Sequence, residues 1–448
     1  MKLKQLFSKC LLSVLSLALP LLPLASQANT TTQVIVKSNL SSPVILEGTQ
    51  DKNYLKIALT GFNLASTKRS PINLALVIDR STSMSGDRIE KAREAAILAV
   101  NMLESDDTLS VVAYDNNAEV VIPATKVKNK EELIKKINQH IYPTGMTALF
   151  AGVSKGINQV DKELSRDKVN RIILLSDGQA NVGPTSISEL SDLARVAAKK
   201  GIAITTIGLG EGYNEDLMTA IAGYSDGNHT FVANSVDLEK AFSKEFNDVM
   251  SVVAQDVVIT INVDKRVKPV RLLGRDGQIT GNTVTVKMNQ LYSNQEKYVL
   301  LEVIPAKGQN AETKPLAHVS VSYDNLNTKK KDSINEQVSV SYSKSADDVK
   351  KAVIEDVLVD SEVQLAVIAN DEAIRLIDQG KVKEAQQIVR DSANRLGSLP
   401  VSSVPAMVKA QENAAMNMEL AEKLEQESAS FSRKAIVEQK YNVKNQKK

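Results

Sequence analysis

The spacing of hydrophobic and polar positions changes three times along the chain. Residues 33–62 alternate. Gln33 to Lys37 and Tyr54 to Leu59 each read as a strand, with Ser-Ser-Pro and Gly-Thr-Gln-Asp turns between them. From residue 72 to 253, short apolar runs alternate with helical patterns. Strands are expected at Leu74–Ile78, Leu109–Tyr114, Glu119–Ile122, Arg171–Leu175 and Ala203–Ile207. Between them, Ile89, Ala92, Ala96, Val100 and Leu103 recur every three or four residues, as do Leu149, Val153, Ile157, Val160 and Leu164. Each set fits one face of an α-helix. Residues 255–343 return to strands, at Val257–Val263, Thr283–Met288, Tyr298–Val303 and His318–Tyr323. Residues 346–440 read as helices. Gly380 separates a long helix from a second one carrying Val382, Ala385, Val389, Ala393 and Leu396, and Gly397-Ser398-Leu399-Pro400 stops the latter. A narrower stripe, Ala414, Met418, Ala421 and Leu424, follows.

Strands alternating with helices imply a mostly parallel sheet covered on both faces. The last strand-rich block has few strands for a sandwich of its own. The expected fold is therefore an α/β domain, doubly wound around a mostly parallel sheet, inserted in a β-sandwich and followed by a C-terminal helical region. Its expected parts are residues 29–71 and 254–345 for the sandwich, 72–253 for the α/β domain and 346–448 for the helices. Pairing of the 54–59 strand with one from 255–343 decides that expectation. The helices are expected to pack on their own protein, and the Lys-rich end, Lys440 to Lys448, to be solvated and frayed.

The N-terminus adds a compartment. Lys2, Lys4 and Lys9 precede an apolar run from Cys10 to Leu24, and Ser26-Gln27-Ala28 places small residues at a cleavage site. Residues 1–28 read as a secretory signal peptide cleaved after Ala28. Pro20 and Pro23 make the run a poor membrane span. The remaining chain has no apolar stretch long enough for a span, so no stable membrane span is expected after cleavage. A periplasmic or secreted location follows. Cleavage leaves 52 basic against 53 acidic residues, a net charge of −1, from a full chain of +2. That balance gives no long-range attraction to polyanions. With no Trp and 4% aromatic residues, stacked nucleic-acid binding is not expected either. Three His and one Cys argue against a Cys/His zinc site, and one Cys excludes a disulfide within the chain.

The candidate chemistry lies at strand ends. The first α/β strand runs into Asp79-Arg80-Ser81-Thr82-Ser83, the pattern Asp-x-Ser-x-Ser, just before a helix. Thr144-Gly145-Met146-Thr147 precedes another helix, and Leu174-Leu175-Ser176-Asp177-Gly178 ends another strand. Ligands of open α/β sheets gather at the carboxyl ends of the strands. Asp79, Ser81, Ser83, Thr147 and Asp177 are all hard oxygen donors, a set suited to Mg²⁺ or Mn²⁺ and unsuited to copper or zinc. Taken singly, the serines could be helix caps and Asp177-Gly178 a turn. Their joint placement is the stronger signal.

These residues resemble the von Willebrand factor type A domain. Its metal-ion-dependent adhesion site has the pattern Asp-x-Ser-x-Ser, then a Thr, then an Asp, matched here without departure by Asp79, Ser81, Ser83, Thr147 and Asp177. The phrases Val77 to Met84 and Ser176 to Asn181 resemble bacterial secreted members, and the resemblance covers about residues 72–253. It implies that Ser81, Ser83 and Thr147 contact the ion through hydroxyls, and that Asp79 and Asp177 act mainly through bound waters. An Asp or Glu of a partner protein then replaces one water. The implied function is non-catalytic, metal-dependent protein binding.

Three other readings stand beside it. Gly208-Leu209-Gly210-Glu211-Gly212 suggests a dinucleotide loop, but its third Gly comes one residue early, so a tight turn is expected. A metal-dependent hydrolase would want a general base, and His140, His229 and His318 lie far from the metal loops in sequence. An envelope scaffold would use the helical tail for partner contact and the metal only as a stiffener.

Overall fold

The structure is a computed structural model and describes residues 33–64 and 69–446. The expected signal peptide lies outside the described residues.

A six-stranded sheet forms the centre of the α/β part. Its spatial order is Ala118–Lys126, Thr108–Tyr114, Ile72–Asp79, Val169–Ser176, Ala203–Leu209 and His229–Val232. All neighbours are parallel except Ala118–Lys126, which runs antiparallel to Thr108–Tyr114. Every residue of the four inner strands is buried. Their runs are near-continuously apolar because helices cover both faces. Leu74, Leu76 and Ile78 enter the core on one face, while Ala75 and Val77 enter the core on the other. Truncating such a side chain to alanine costs about 2–5 kcal/mol.

The two helices with the clearest spacing form as expected, at Asp87–Met102 and Leu149–Lys162. Ile89, Ala92, Ala96, Val100 and Leu103 are buried, whereas Leu164 falls beyond its helix and is exposed. Further helices run Lys130–His140, Ile187–Lys199, Glu215–Tyr224 and Leu238–Met250. Ser186 and Glu189 close the start of the second of these, Ile187–Lys199, with a reciprocal capping box.

The strand Asn53–Thr60 lies between Ile35–Leu40 and Glu296–Ile304 and pairs antiparallel with both. Chain from before and after the α/β part therefore shares one sheet, as the insertion requires. Lys268–Leu273 completes this four-stranded sheet. Facing it is a six-stranded sheet in the order Gly277–Thr280, Thr283–Tyr292, Val252–Val263, Thr313–Asn325, Lys330–Ser343 and Val44–Leu46. Leu55, Ile57 and Leu59 from one sheet meet Val257, Ile259 and Ile261 from the other in a common core.

Five helices follow, at Ala346–Lys351, Glu355–Asp378, Val382–Gly397, Val404–Gln426 and Ala429–Lys444. Gly380, at φ +75°, turns the chain between the second and third. On Val404–Gln426 the buried face runs through Ala410, Asn417, Leu420, Ala421 and Leu424, with Ala414 and Met418 half-buried at its margin. Asn417 belongs there because Asn370 donates to it at 3.2 Å. Lys56 on the sandwich strand meets Asp356 at 2.7 Å and Asp360 at 2.6 Å, which fixes the helices to the sandwich.

The frayed end expected from Lys440 onward is not what residues 440–446 form. Lys440 pairs with Asp371 at 2.7 Å, Tyr441 is buried, and the Gln446 carbonyl accepts from Gln295 at 3.1 Å. A Lys-rich segment is held in place here by carboxylates supplied from distant chain.

Candidate functional site

Asp79 is the last residue of its strand, and its neighbours leave the sheet in a loop ahead of the helix Asp87–Met102. Three loops meet at this carboxyl edge. Thr82 donates to the Gly145 carbonyl from both its amide, at 3.0 Å, and its hydroxyl, at 2.9 Å. The Thr144 amide donates to the Arg80 carbonyl at 2.7 Å. The Thr147 amide donates to the Asn181 side chain at 2.8 Å, and the Asn181 amide returns a bond to the Thr147 carbonyl at 3.1 Å. Arg80 clamps the rim through Asp115 at 2.8 Å and Glu119 at 2.8 Å.

Within that frame the candidate side chains form one connected chain of hydrogen bonds. Asp79 Oδ2 accepts from the Ser176 hydroxyl at 2.8 Å, and Asp79 Oδ1 accepts from the Ser81 amide at 2.8 Å. The Ser81 and Ser83 hydroxyls lie 2.9 Å apart. Ser83 donates to Asp177 Oδ1 at 2.7 Å, and Arg88 donates to Asp177 Oδ2 at 2.7 Å. Thr147 joins across Gly178. A methyl group there would stand 3.5 Å from Ser83 Oγ and 3.6 Å from Thr147 Oγ1, so both hydroxyls face the same small space. The structure thus brings together all five residues singled out in the sequence.

Burial is steep. Asp79, Ser81, Thr147 and Asp177 are all buried, while Ser83 is exposed at the mouth. Burial pushes the Asp79 carboxyl up to about 6, against hydrogen bonds from Ser81 and Ser176 that favour the charged form. The nearby Asp177 charge pushes it up further. Among the described residues no ion pair reaches Asp79, whose buried carboxyl is held by hydrogen bonds alone. Five hard oxygen donors around a small space, with one buried carboxylate lacking a counter-charge, fit a divalent cation.

Two participants carry weak or no signal in the sequence. Ser176 stands beside Asp177 and could be marked by that adjacency. Arg88 could not, because its partner is 89 residues away. Another group of carboxylates, Glu296, Asp356 and Asp360, also lies within ligand distance of itself, but the Lys56 ammonium already fills it. Gly208 lies in the strand Ala203–Leu209, and Gly210 and Gly212 form the tight turn that follows it. The Gly212 carbonyl accepts from Gln179 at 2.9 Å, beside Asp177.

The doubly wound sheet thus carries this cluster at its carboxyl edge, and that part of the chain is similar to a known family. The family model of the "von Willebrand factor type A domain" matches residues 73–244. The uncharacterized protein sll0103 of Synechocystis sp. is 29% identical over 56% of this chain and 61% of its own length, so this chain spans less than two thirds of that relative. A solved "von Willebrand factor type A" structure from Catenulispora acidiphila superposes with a TM-score of 0.67 over 86% of this chain and 96% of that one, at 14% identity. The ArnB paralog VWA2 from Sulfolobus acidocaldarius gives 0.61 over 91% and 98%, at 19% identity. The likeness in fold therefore extends past the matched domain into the flanking sheets and helices. Among the described residues, no helix is long and apolar enough to cross a membrane.

Proposed function

We propose that this protein is an exported, non-catalytic binding module that uses Mg²⁺ or Mn²⁺ to grip an Asp or Glu of a partner protein. Ser81, Ser83 and Thr147 supply hydroxyl oxygens to the ion, and Asp79 and Asp177 supply the negative charge. The bound ion offers a partner carboxylate a charge-assisted contact that strengthens as water leaves. The observation that carries this reading is the unbroken chain from Ser176 through Asp79, Ser81 and Ser83 to Asp177, with the Thr147 hydroxyl facing it. The matched family, a protein-interaction module that can depend on a metal, supports it. The exported location rests on reading residues 1–28 as a signal peptide, with the periplasm as the favoured compartment. No histidine joins the hydrogen-bonded chain of the site among the described residues. His229 is engaged by Thr206 at 2.8 Å and Tyr213 at 3.2 Å, and His140 lies beside Glu119.

The test is capture of partners from an envelope extract with Mg²⁺, with EDTA, and with Ser81→Ala. Partners released by EDTA and lost in the variant support the reading. Partners that stay bound under both conditions overturn it, and their loss on removing the C-terminal helices instead would favour a scaffold acting through those helices.

A further inference from the structure

We propose that Arg88 is a built-in competitor of the metal ion: its guanidinium neutralises Asp177 when the site is empty and holds down the affinity for the divalent cation. This inference rests on the metal-site reading above and concerns how that site is regulated.

The two buried carboxylates of the site are treated differently. Asp79 has hydroxyl and amide donors, whereas Asp177 has a full positive charge on one oxygen, Arg88 Nη1 at 2.7 Å from Oδ2. The Asp177 side chain is wholly buried, so leaving it unpaired would be costly. Arg88 arises in the first turn of the helix Asp87–Met102, where a carboxylate would suit the helix dipole and a cation does not. Its placement is therefore better explained by the partner it reaches than by the helix it sits on. The same Nη1 lies 3.3 Å from the Ser83 carbonyl, so the guanidinium reaches the backbone of a residue whose hydroxyl belongs to the ligand set. The other terminal nitrogen passes the turn at Gly210, where a methyl group would come within 3.0 Å of Arg88 Nη2. The Arg88 side chain is 41% exposed. It can swing out to solvent without disturbing the core, which Asp177 cannot.

A divalent ion among the hydroxyls of Ser81, Ser83 and Thr147 meets this positive charge at one carboxylate's remove. Like charges at such range repel appreciably in a partly buried site. Arg88 thus exchanges affinity for the ion against stability of the empty site. The ion then loads only where divalent cations are abundant, and binding of an acidic partner becomes dependent on their concentration.

Calorimetric titration with Mn²⁺ alone, on the full chain, tests this with Arg88→Gln, Arg88→Lys and Asp79→Asn. Arg88→Gln keeps a donor for Asp177 without the charge. It is expected to bind Mn²⁺ about tenfold more tightly than the wild type, and to melt at a lower temperature when metal-free but not when loaded. Arg88→Lys retains the charge and should stay within about threefold of the wild type. Uptake in Arg88→Gln that equals or falls below the wild type, with its circular dichroism unchanged, overturns the competitor role alone. If Arg88→Gln does not fold, Arg88→Met takes its place: Mn²⁺ uptake about tenfold tighter than in the wild type supports the role, and uptake equal to or weaker than the wild type overturns it. No uptake by the wild type or by any variant overturns the metal-site reading and this inference with it. Uptake that persists unchanged in Asp79→Asn shows that the ion sits elsewhere and overturns both.

Discussion

A methyl group at Gly208 would stand 2.4 Å from the Tyr213 ring, and one at Gly212 would stand 3.0 Å from the Asp177 carbonyl. Gly210 between them has φ +71°, a backbone state that favours glycine. These glycines answer to packing and to a turn, with no phosphate needed to explain them. The Tyr213 ring is fully buried and lies 5.8 Å from His229 and 5.7 Å from Phe231, so it has little room to retreat. Gly208→Ala is therefore expected to lower stability by about 1–3 kcal/mol, as overpacking does. Urea unfolding should show a lower midpoint with an unchanged slope. A midpoint equal to the wild type would mean that the Tyr213 ring yields freely. That Asp79, Ser81, Ser83, Thr147 and Asp177 would lie together was legible at the residue scale because short local motifs carry their types and spacing. It missed Arg88 because nothing local distinguishes a solvated arginine from one drawn onto a buried carboxylate.

Elements show the same division between local and distant causes. The inner strands and the helices at Asp87–Met102 and Leu149–Lys162 were legible because their periodicity is strong. The strand His229–Val232 was not. It has four residues, two of them half-exposed, and forms the open edge of the central sheet. An exposed edge invites pairing with other chains. Here the last helix, Ala429–Lys444, covers it. Glu438 accepts from the Phe231 amide at 3.0 Å, Phe431 packs edge-on against Phe231, and Arg433 pairs with Glu215 at 2.7 Å and Asp216 at 2.8 Å. Charge content alone marked the end of this helix as a loose tail, since those partners lie some two hundred residues earlier in the chain. Burial pushes the Glu438 carboxyl up, so a neutral amide fits the position well. Glu438→Ala should speed hydrogen exchange at the Phe231 amide at least tenfold and cost about 1–2 kcal/mol. Glu438→Gln should change both far less. Unchanged exchange in Glu438→Ala would show that the helix does not cap the strand.

At the scale of the whole molecule, the candidate site and the sandwich occupy opposite edges of the central sheet. The contacts to the sandwich come from chain at or just before the starts of parallel strands. Ser70 donates to the Leu326 carbonyl, the Arg166 carbonyl accepts from Gln255, and Asp226 accepts from the Asn289 amide. Arg171, wholly buried near the start of its strand, reaches Gln290 and Tyr292 at 2.8 Å each. Six residues further along that strand, roughly 20 Å at extended spacing, stands Asp177. The rim that would meet a partner is thus left clear of the sandwich. The junction itself is charged, and Lys297 is its most exposed weakness to pH. Its ammonium donates to the Gln290 carbonyl at 3.1 Å and lies 4.7 Å from the Tyr292 ring centre. Burial pushes its pKa down to about 8, helped by Arg275 and Arg171 and opposed by Asp226. The unfolded chain holds this proton up to about pH 10.5, whereas the folded protein releases it near pH 8. Between those values the unfolded state binds more protons, so this group's contribution to stability rises with pH and is lost as pH falls through about 8. The full swing is about 3 kcal/mol. Lys297→Met keeps the stem and removes the titration. Urea unfolding of both proteins at pH 7.5 and pH 10 isolates the group, because every other titration is shared. The wild type should gain about 2 kcal/mol on the variant across that interval. Parallel changes in the two proteins would mean that Lys297 is as well solvated when folded as when unfolded, and that the junction between the α/β part and the sandwich is open to water.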